Sequence, residues 1–405
     1  MTYEKRLIWV LGIAFGVVFF DRNAVTNLMP FIIDDLKFSN QQAGMIVSAL
    51  SFTWATIGFL GAAYSDRSGN RKGLLVAAYV VFSLCSFLSG LASSFMLLVL
   101  ARLLMGMAEG PILPVAQSLL AAESPAARRG HNMGVMQNFG SNLLGSFLCP
   151  LILVAVASAY SWRVAFFVAG IPGLLMAVLI ARYVRAPAPA VAASAAPREA
   201  VRYAELLRHR NIWLCILMAI VMVAWMVLGW AFLPLLYVKV RLLSSSQMSH
   251  LMSVLGLSAA FFSFVVPSLS DRFGRRPVIV LFHLIGLLTP LAALYFQGSL
   301  FLLGSLIFIG WSASGTFPLF MATIPAETIP ARYLATTVGL VMGIGEVLGG
   351  VSSPWIAGWA ADQYGLQATM LIMAGCAVAG TVLALFLRET APVRLSRRQL
   401  AAVSS

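Results

Sequence analysis

Charged side chains are scarce in this sequence. Only 10% of the 405 residues are Asp, Glu, Lys or Arg, whereas 60% are hydrophobic. A soluble domain usually has about 25% charged and roughly 45–50% apolar residues, so a water-soluble chain of this composition could not cover its own surface. Uncharged runs long enough to cross a bilayer recur along the whole chain. The scarcity of charge therefore excludes an ordinary soluble protein and indicates an integral membrane protein.

Residues that carry enzymatic or metal chemistry are also few. The four cysteines lie inside apolar runs, where they serve as small packing residues, and the four histidines show no metal-ligand spacing. The sequence has no Gly-x4-Gly-Lys loop, so an ATP-driven pump would need another chain. No nucleophile with a matching base stands out. We therefore predict no enzyme activity, no metal site and no cofactor.

Long apolar segments repeat along the chain at the length of a membrane span. Backbone groups in hydrocarbon must be bonded within their own segment, so each segment should be α-helical. The alternating segments of about ten residues that build a membrane barrel are missing. We predict about twelve transmembrane helices, at 7–30, 41–65, 73–92, 95–121, 131–157, 164–184, 211–238, 246–270, 277–296, 299–324, 335–358 and 367–387.

Basic residues are distributed unevenly between the two sides of these spans. The net charge is +13, and 21 of the 27 Lys and Arg residues fall in segments on the side of the N-terminus. Cytoplasmic loops carry such an excess. We therefore predict a multi-pass protein of the cell (inner) membrane with cytoplasmic N- and C-termini. The basic residues then orient the protein in the lipid bilayer and do not indicate binding to nucleic acid.

The chain divides almost in half at a segment of linker composition. Residues 186–197 are rich in Ala, Ser and Pro and carry no charge, which is typical of a linker. We predict an N-terminal six-helix bundle at 1–184, a cytoplasmic linker at 185–210, a C-terminal six-helix bundle at 211–390 and a cytoplasmic tail at 391–405.

The two halves repeat one another in sequence. A shift of 205 residues superimposes a loop motif of the two halves, and the same shift superimposes glycines of spans five and eleven. The loops are Asp66-Arg67-Ser-Gly69-Asn-Arg71 and Asp271-Arg272-Phe-Gly274-Arg-Arg276. One offset that matches both features predicts an all-α membrane protein of two pseudo-symmetric six-helix bundles. In such repeats the substrate site lies near the middle of the membrane.

The repeated pattern Asp-Arg-x-Gly-x-Arg resembles the signature of the major facilitator superfamily. The resemblance covers the whole chain, because the pattern follows spans two and eight of a twelve-span plan. It implies that the two loops, together with basic residues after span four, close the cytoplasmic side. The alternative is solvated loop charge, which contributes little per exposed pair. The implied gate residues are Asp66, Arg67, Arg71, Arg128, Arg129, Asp271, Arg272 and Arg276.

Five ionisable residues lie inside the predicted spans, where each costs roughly 2.5–3.5 kcal/mol if it faces lipid. From the helical rise, Asp21, Arg22 and Arg102 share a level in the outer half of the membrane, and Glu346 lies near its middle. Glu109 follows Arg102 by two helical turns and so lies on the same helix face. The five residues are Asp21, Arg22, Arg102, Glu109 and Glu346.

These five charges suggest how protons could be coupled to an anion. Fully ionised they carry a net charge of −1, and two bound protons would change it to +1, so an anion and protons would bind together. We interpret Asp21, Glu109 and Glu346 as proton-coupling carboxylates, with Asp21 holding protons least readily because it lies level with Arg102. Arg22 matches a substrate carboxylate, and Arg102 forms a structural ion pair with Asp21. The alternative is a set of static internal ion pairs.

Motifs in spans one, four and six resemble the anion:cation symporter family, which includes sialin-like and sugar-acid transporters. The resemblance covers mainly the N-terminal half, and spinster-type lysolipid transporters carry a similar pattern. It implies cotransport of an organic anion with protons or sodium, with Arg22 at the substrate carboxylate. The motifs are Phe20-Asp21-Arg22-Asn23, Arg102-x6-Glu109-Gly110-Pro111-x2-Pro114 and Ser161-Trp162-Arg163.

Polar and aromatic residues of other spans are further candidates for substrate contact. Gln137 and Asn138 in span five can bond a substrate, although such groups also bond neighbouring helices. Trp54 stands in span two where the family often has Tyr, and its indole donates one hydrogen bond and accepts none. Trp311 in span ten shapes the cavity or packs inside it. We include these four residues with Arg22 in the predicted substrate site.

The function that these patterns favour is proton-coupled symport of an organic anion by alternating access. Sugar acids, hydroxy acids and aromatic acids all suit one arginine and a polar cavity. Proton-driven efflux of drugs or lysolipids is the main alternative, and a channel or a non-transporting sensor explains less of the pattern. The predicted partners are a small organic anion, protons and the lipid bilayer, and the protein is predicted to be a monomer.

Overall fold

The computed structural model describes residues 2–68, 70–125, 128–185, 208–330, 333–392 and 394, without the side chains of 59–68, 129–131, 139, 334 and 335. Within these ranges all regular structure is helical and no strand occurs. The predicted linker therefore lies largely outside the described residues, and so does almost all of the predicted tail.

Nine α-helices and one π-helical segment form the described part of the N-terminal half. They are α1 (Tyr3–Arg22), α2 (Ala24–Leu36), α3 (Asn40–Ser68), α4 (Arg71–Gly90), α5 (Phe95–Glu109), α6 (Ile112–Glu123), α7 (Arg129–Gly140), the π-helical Ser141–Leu148, α8 (Cys149–Ala159) and α9 (Trp162–Tyr183).

The described part of the C-terminal half is more often interrupted by π-helical and 3₁₀ turns. Its elements are α10 (Arg210–Leu235), the π-helical Leu236–Val240, α11 (Ser245–Phe273), α12 (Arg275–Ile285), α13 (Leu288–Tyr295), α14 (Leu300–Gly310), the 3₁₀ turn Trp311–Thr316, the π-helical Leu319–Thr323, α15 (Ile324–Thr328), α16 (Leu334–Ile344), the π-helical Gly345–Val351, α17 (Ser352–Tyr364) and α18 (Gln367–Leu385).

Polar side chains mark the residues at which several of these helices begin. Asn70, Ser94, Ser161 and Ser299 each accept a hydrogen bond from the backbone N–H three residues later. Such a cap satisfies one of the N–H groups that the first helical turn leaves without a partner. Short polar breaks between apolar runs therefore fix where these helices begin.

The helices account for the predicted membrane crossings. Eleven helical stretches of the described residues are long and apolar enough to span a bilayer. The 29 residues of α3 provide a further crossing, because at about 1.5 Å per residue the helix is longer than the roughly 30 Å hydrocarbon core. The predicted all-α membrane fold is confirmed. A chain that crosses a membrane repeatedly must place successive loops on opposite sides. We call the side on which α1 begins at Tyr3 the near face, and the side on which α2 ends at Leu36 the far face.

Two π-helical segments occupy equivalent places in the sequence repeat. The shift of 205 residues that superimposes the loop motifs places Ser141–Leu148 on the segment Gly345–Val351, to within about one residue at its start. Both segments follow glycine-containing helices. A π-helical turn widens the helix locally and is frequent at functional sites. The repeat is therefore present in the backbone as well as in the residues.

The chain forms two compact units that cut across the predicted halves. The first unit consists of Met1–Ser194, Trp230–Leu257 and Pro354–Leu366, and the second of Ala195–Gly229, Ser258–Ser353 and Gln367–Ser405. The division differs from the predicted one because far-face ends of three C-terminal spans pack with the N-terminal half.

Candidate functional site

Arg22 is the last residue of α1, and its guanidinium stacks on an aromatic ring of α3. Its central carbon lies 4.9 Å from the ring centroid of Trp54 and 5.6 Å from that of Phe19. Among the described residues its side chain forms no hydrogen bond and no ion pair. The stack therefore holds the half-buried guanidinium in place while its donors stay available for a ligand.

Close packing of α3 against α5 brings Trp54 beside the helix that ends at Glu109. A Cβ atom on Gly110 would lie 2.7 Å from the backbone nitrogen of Gly58 and 2.9 Å from the carbonyl oxygen of Trp54, so only glycine fits there. Thr53 adds a hydrogen bond of 2.9 Å from its hydroxyl to the carbonyl of Leu103.

Glu109 is a buried carboxyl group without a hydrogen-bond partner among the described residues. It is 1% exposed, and neither carboxyl oxygen has a donor nearby. Arg22, Asp21 and Arg102 are close enough to act on it electrostatically. An ionised carboxylate in such a place costs far more than a protonated one. The surroundings of Glu109 therefore suit a group that gains and loses a proton.

Asp21 is held by a serine that reaches across from α4. The Ser86 hydroxyl lies 2.6 Å from Asp21 Oδ1 and 3.0 Å from the carbonyl oxygen of Phe166. Asp21 is fully buried, and its Oδ2 has no hydrogen-bond partner in the described part of the chain. Ser83, Ser86 and Ser89 recur once per turn on α4. This spacing was the available sequence signal for a polar face, and the prediction did not use it.

Arg102 is fully buried and does not contact Asp21 directly, which corrects the predicted ion pair. Its Nη2 donates to the Ser89 hydroxyl at 3.0 Å, its Nη1 lies 3.2 Å from the Met105 sulfur, and its central carbon is 5.1 Å from the Phe166 ring centroid. Arg102 and Asp21 interact through space. Ser86 and Ser89 of α4 therefore form the hydrogen bonds with Asp21 and Arg102 that the two charged groups were predicted to form with each other.

Gln137 and Asn138 lie on α7, one turn before the π-helical segment. Gln117 donates to Gln137 Oε1 at 3.3 Å, and Asn138 Nδ2 donates to the backbone carbonyl of Gly134 at 3.1 Å. Both side chains are half-buried. The first bond joins α6 to α7 and the second lies within α7, and among the described residues Gln137 Nε2 and Asn138 Oδ1 form no hydrogen bond, so both remain available to a ligand.

Trp311 and Glu346 belong to the second unit. Trp311 is 1% exposed and stacks on Trp225 with ring centroids 4.6 Å apart. Glu346 is half-buried at the start of its π-helical segment, with its carboxyl folded over Gly350. Within its own unit, Trp311 is thus a packed core residue, whereas Glu346 is a partly accessible acid.

The second copy of the loop motif forms a dense polar network at the near face. Asp271 pairs with Arg275, and Arg275 Nη2 bonds Glu327 Oε1 at 2.7 Å. The predicted pairing of Asp271 with Arg128 or Arg129 stays a prediction, since the side chain of Arg129 lies outside the described residues. Glu327 in turn accepts from the Thr390 hydroxyl at 2.6 Å. The residues that complete the network lie on α15 and after α18, and sequence reasoning missed them.

The turn of this loop depends on Gly274. Its φ of +100° is strained for any residue with a side chain, and a Cβ atom there would lie 2.6 Å from Glu389 Oε2. Glu389 Oε1 accepts a hydrogen bond of 2.8 Å from the backbone nitrogen of Arg275 and so caps α12. Arg272 stacks on Phe273 at 5.4 Å, and Arg276 is exposed.

The first copy of the loop motif is only partly described. The side chains of Asp66, Arg67 and Arg129 lie outside the described residues. Arg71 begins α4. Arg128 forms an ion pair of 3.2 Å with Glu4 at the start of α1.

Arg275 should stabilise the protein more than its neighbour Arg272. Arg275→Gln removes a partner from Glu327 at a side chain that is only 8% exposed, so we expect a loss of about 2 kcal/mol of stability. The thermal unfolding midpoint of the detergent-solubilised protein measures it. Arg272→Gln changes charge equally at an exposed position and should leave the midpoint nearly unchanged. Equal effects of the two substitutions would contradict the network.

At the far face an aspartate of α17 caps the first turn of α3. Asp362 Oδ1 accepts from the Asn40 backbone nitrogen at 2.8 Å and from its side-chain amide at 2.9 Å, and Oδ2 accepts from the Gln41 backbone nitrogen at 2.9 Å. Lys239 also pairs with Asp34. A negative charge at a helix N-terminus is stabilising, so these contacts tie segments of the C-terminal half to α2 and α3 within the first unit.

A separate far-face contact stays within the N-terminal half. Trp162 Nε1 donates to Asp35 Oδ2 at 3.0 Å, Arg163 pairs with the same oxygen, and the Arg163 guanidinium lies 4.2 Å from the Trp162 ring centroid. This arginine resembles Arg22 in stacking on tryptophan but differs in having a carboxylate partner.

Comparison with known proteins points to a family of transporters. The family model of the Major Facilitator Superfamily matches residues 11–244 and 228–403. A bacterial homologue of the human lysosomal transporter Spinster, solved in an inward-facing and occupied conformation, shares the fold with a TM-score of 0.78 at 19% identity, over 95% of this chain and 96% of that one.

Two curated relatives are transporters whose names specify organic acids. The hexuronate transporter of Bacillus subtilis (strain 168) is 35% identical over 213 residues, 51% of this chain and 50% of the relative. The 3-(3-hydroxy-phenyl)propionate transporter of Escherichia coli (strain K12) is 29% identical over 373 residues, 88% of this chain and 87% of the relative. The match to the first relative thus spans half of that protein's length.

Proposed function

Because this chain belongs to the Major Facilitator Superfamily, we propose that it is a proton-coupled symporter of an organic carboxylate that works by alternating access. It is a multi-pass membrane transport protein and not an enzyme. The proposal rests on two neighbouring charged side chains that form no hydrogen bonds within the described part of the chain. Among the residues that the structure describes, Arg22 keeps its hydrogen-bond donors free on the Trp54 ring, and the Glu109 carboxyl is buried nearby without a donor.

The charges of the first unit supply the coupling. Asp21, Arg22, Arg102 and Glu109 sum to zero when all four are ionised, so an added carboxylate would leave an uncompensated negative charge in a buried site. A proton on Glu109 makes the sum +1, and the carboxylate at Arg22 returns it to zero. The loaded site is neutral only when the proton and the anion are both present, which favours their movement together.

Roles for the surrounding residues follow from their positions. Ser86 and Ser89 orient Asp21 and Arg102, so that these two charges set the potential at Glu109. We assign Asp21 a coupling role secondary to that of Glu109. Gln137 and Asn138 offer amide groups to the part of the substrate beyond the carboxylate. In the second unit Trp311 supports the structure, and we assign Glu346 the binding of a further proton.

The relatives support a carboxylate as the common feature of the substrate. Hexuronate is a sugar acid and 3-(3-hydroxyphenyl)propionate an aromatic acid, and the two share little besides the carboxylate. A guanidinium fork recognises that group in two hydrogen bonds. The position of the guanidinium over the Trp54 ring favours Arg22 over a lysine for this contact. Sugar acids, hydroxy acids and aromatic acids are therefore the classes to test.

The unequal distribution of basic residues orients the transporter. Most Lys and Arg residues fall in sequence segments on the side of the N-terminus, and we assign that side, the near face, to the cytoplasm of a cell with the protein in its inner membrane. The N- and C-termini are then cytoplasmic. In this orientation the network of Asp271, Arg275 and Glu327 acts on the cytoplasmic side, and the Asp362 contacts act on the external side.

Uptake by purified protein in proteoliposomes tests the proposed function. Labelled hexuronate, 3-(3-hydroxyphenyl)propionate and a short hydroxy acid are supplied with and without an inward proton gradient, and with a sodium gradient at equal pH. We expect concentrative uptake of at least one acid only when the proton gradient is present. Accumulation driven by sodium alone, or export of substrate in exchange for protons, would overturn proton symport.

Asp362→Asn should loosen the far face, because alternating access requires the contacts of α17 with α3 to break. A neutral amide caps a helix more weakly than a carboxylate, so we expect roughly tenfold faster labelling of a buried probe, Ser48→Cys on α3. A membrane-impermeant maleimide measures the rate. Asp35→Asn, whose partners lie in the N-terminal half, serves as the control and should change the rate little. Equal labelling in both variants would argue against a gating role for Asp362.

A further inference from the structure

A large groove opens in the second unit, apart from the transport site of the first unit. Its volume is about 830 Å³, and it lies where the beginnings of α10 and α12 meet the end of α18 at the near face. Arg210 and Arg276 line it from the two helix beginnings, and Phe386 and Arg388 line it from the end of α18. The proposed function leaves this groove without a role.

The polar rim of the groove carries an excess of positive charge. Arg210, Arg276, Arg388 and Arg394 face it together with a single acid, Glu389. The Glu389 carboxylate already accepts hydrogen bonds from backbone N–H groups at the beginning of α12 and from a backbone N–H group that follows Glu389 in the chain. In the described part of the chain, the guanidinium groups of Arg276 and Arg388 form no hydrogen bond and no ion pair. The rim is therefore a site for an anion.

The inner wall of the groove is apolar and exposed. Leu281 and Leu284 on α12 are 52% and 53% exposed, and Phe386 is 55% exposed. Leu281 lies six residues after Arg275 and Leu284 nine, so they sit roughly 9 and 14 Å deeper along α12. That distance takes the wall from the depth of lipid headgroups into the depth of acyl chains. The groove thus offers a charged upper end and an apolar lower end.

We propose that this groove binds an anionic phospholipid, with the phosphate between Arg276 and Arg388 and an acyl chain along Leu281 and Leu284. A free anion would use only the arginines, and a zwitterionic lipid would bring its own positive charge to a basic rim. Arg210 extends over the Phe386 ring at 6.0 Å and closes the side of the headgroup site. Basic pockets between membrane helices on the cytoplasmic side recognise such headgroups.

Titration of lipid into the purified full-length protein tests the site. Phosphatidylglycerol, phosphatidylcholine of the same acyl chains and sodium phosphate are added in turn, and bound lipid is counted by native mass spectrometry. We expect phosphatidylglycerol to bind roughly tenfold more tightly than phosphatidylcholine, and sodium phosphate at the same concentration not to displace it. The Arg276→Gln/Arg388→Gln variant should lose the preference. No substrate is involved, so the result is independent of the transport proposal.

Lys5→Gln/Arg6→Gln is the matched control, since it removes the same charge at the near face in the first unit. It should keep the preference for phosphatidylglycerol. Equal thermal midpoints of both double variants in lipid-free detergent show that both are folded. The proposal is overturned if the Arg276/Arg388 variant keeps the preference, if sodium phosphate displaces the lipid, or if neither lipid is preferred, which would point to an acidic protein segment as the occupant.

Discussion

Glu109→Gln is expected to abolish proton-driven accumulation of the substrate while leaving exchange of internal for external substrate intact. Glutamine keeps the shape and neutrality of protonated glutamate but cannot release a proton. One pH unit is worth about 1.4 kcal/mol, so a one-proton symporter accumulates its substrate about tenfold across such a gradient. The variant should reach a ratio of about one. Proteoliposomes with a one-unit inward proton gradient measure both quantities for the acid that the wild-type protein takes up.

Glu123→Gln provides the control for this result. It is the same chemical change at the exposed end of α6, and it should leave the accumulation ratio at the wild-type value. A Glu109→Gln protein that still concentrates its substrate about tenfold would eliminate Glu109 as the proton carrier. The same measurement on Asp21→Asn would then decide whether the coupling carboxylate is the neighbouring buried acid.

Substitution of Arg22 is expected to cause the largest loss of substrate affinity. Arg22→Gln removes both the charge and the paired donors, so we expect a rise in KM of roughly a hundredfold or loss of measurable uptake. Arg22→Lys keeps the charge but not the planar fork or its stack on Trp54, and it should recover only part of the affinity. Initial uptake rates across a range of substrate concentrations give KM for each variant.

Arg163→Lys is the matched control, because Arg163 also stacks on a tryptophan but is already paired with Asp35. Its KM should stay within about threefold of wild type. A neutral methyl ester of the substrate gives a second readout. Wild-type protein should prefer the acid, and Arg22→Gln should lose that preference. An unchanged KM in Arg22→Gln would remove Arg22 from the substrate site and leave the carboxylate without a recognised partner.

Much of the fold could be predicted because its signals are long and repeated. A membrane helix must satisfy its backbone internally and present apolar side chains to lipid, so each span is visible as an uncharged run. The repeat at 205 residues linked two loops and two glycine-rich spans, and it reappears as a pair of π-helical segments. The cost of burying charge likewise directed attention to Asp21, Arg102 and Glu109.

Partners across helices could not be predicted in the same way. Nothing in the sequence relates Ser86 to Asp21, which lie 65 residues apart. Arg275 and Glu327 are separated by 52 residues, and Asn40 and Asp362 by 322. A hydrogen bond depends on positions to within fractions of an ångström, whereas hydropathy reports only that a residue lies in a span.

The sequence by itself determined the number and approximate position of the membrane crossings, the internal repeat and the small set of buried charges, because each follows from the cost of placing polar groups in hydrocarbon. Only the tertiary structure decided how those charges are partnered. It placed serines of α4 against Asp21 and Arg102, left Glu109 without a donor among the described residues, and gathered far-face ends of the C-terminal spans into the first unit. These outcomes depend on how helices pack side by side, and packing is a property of surfaces that meet only after the chain has folded.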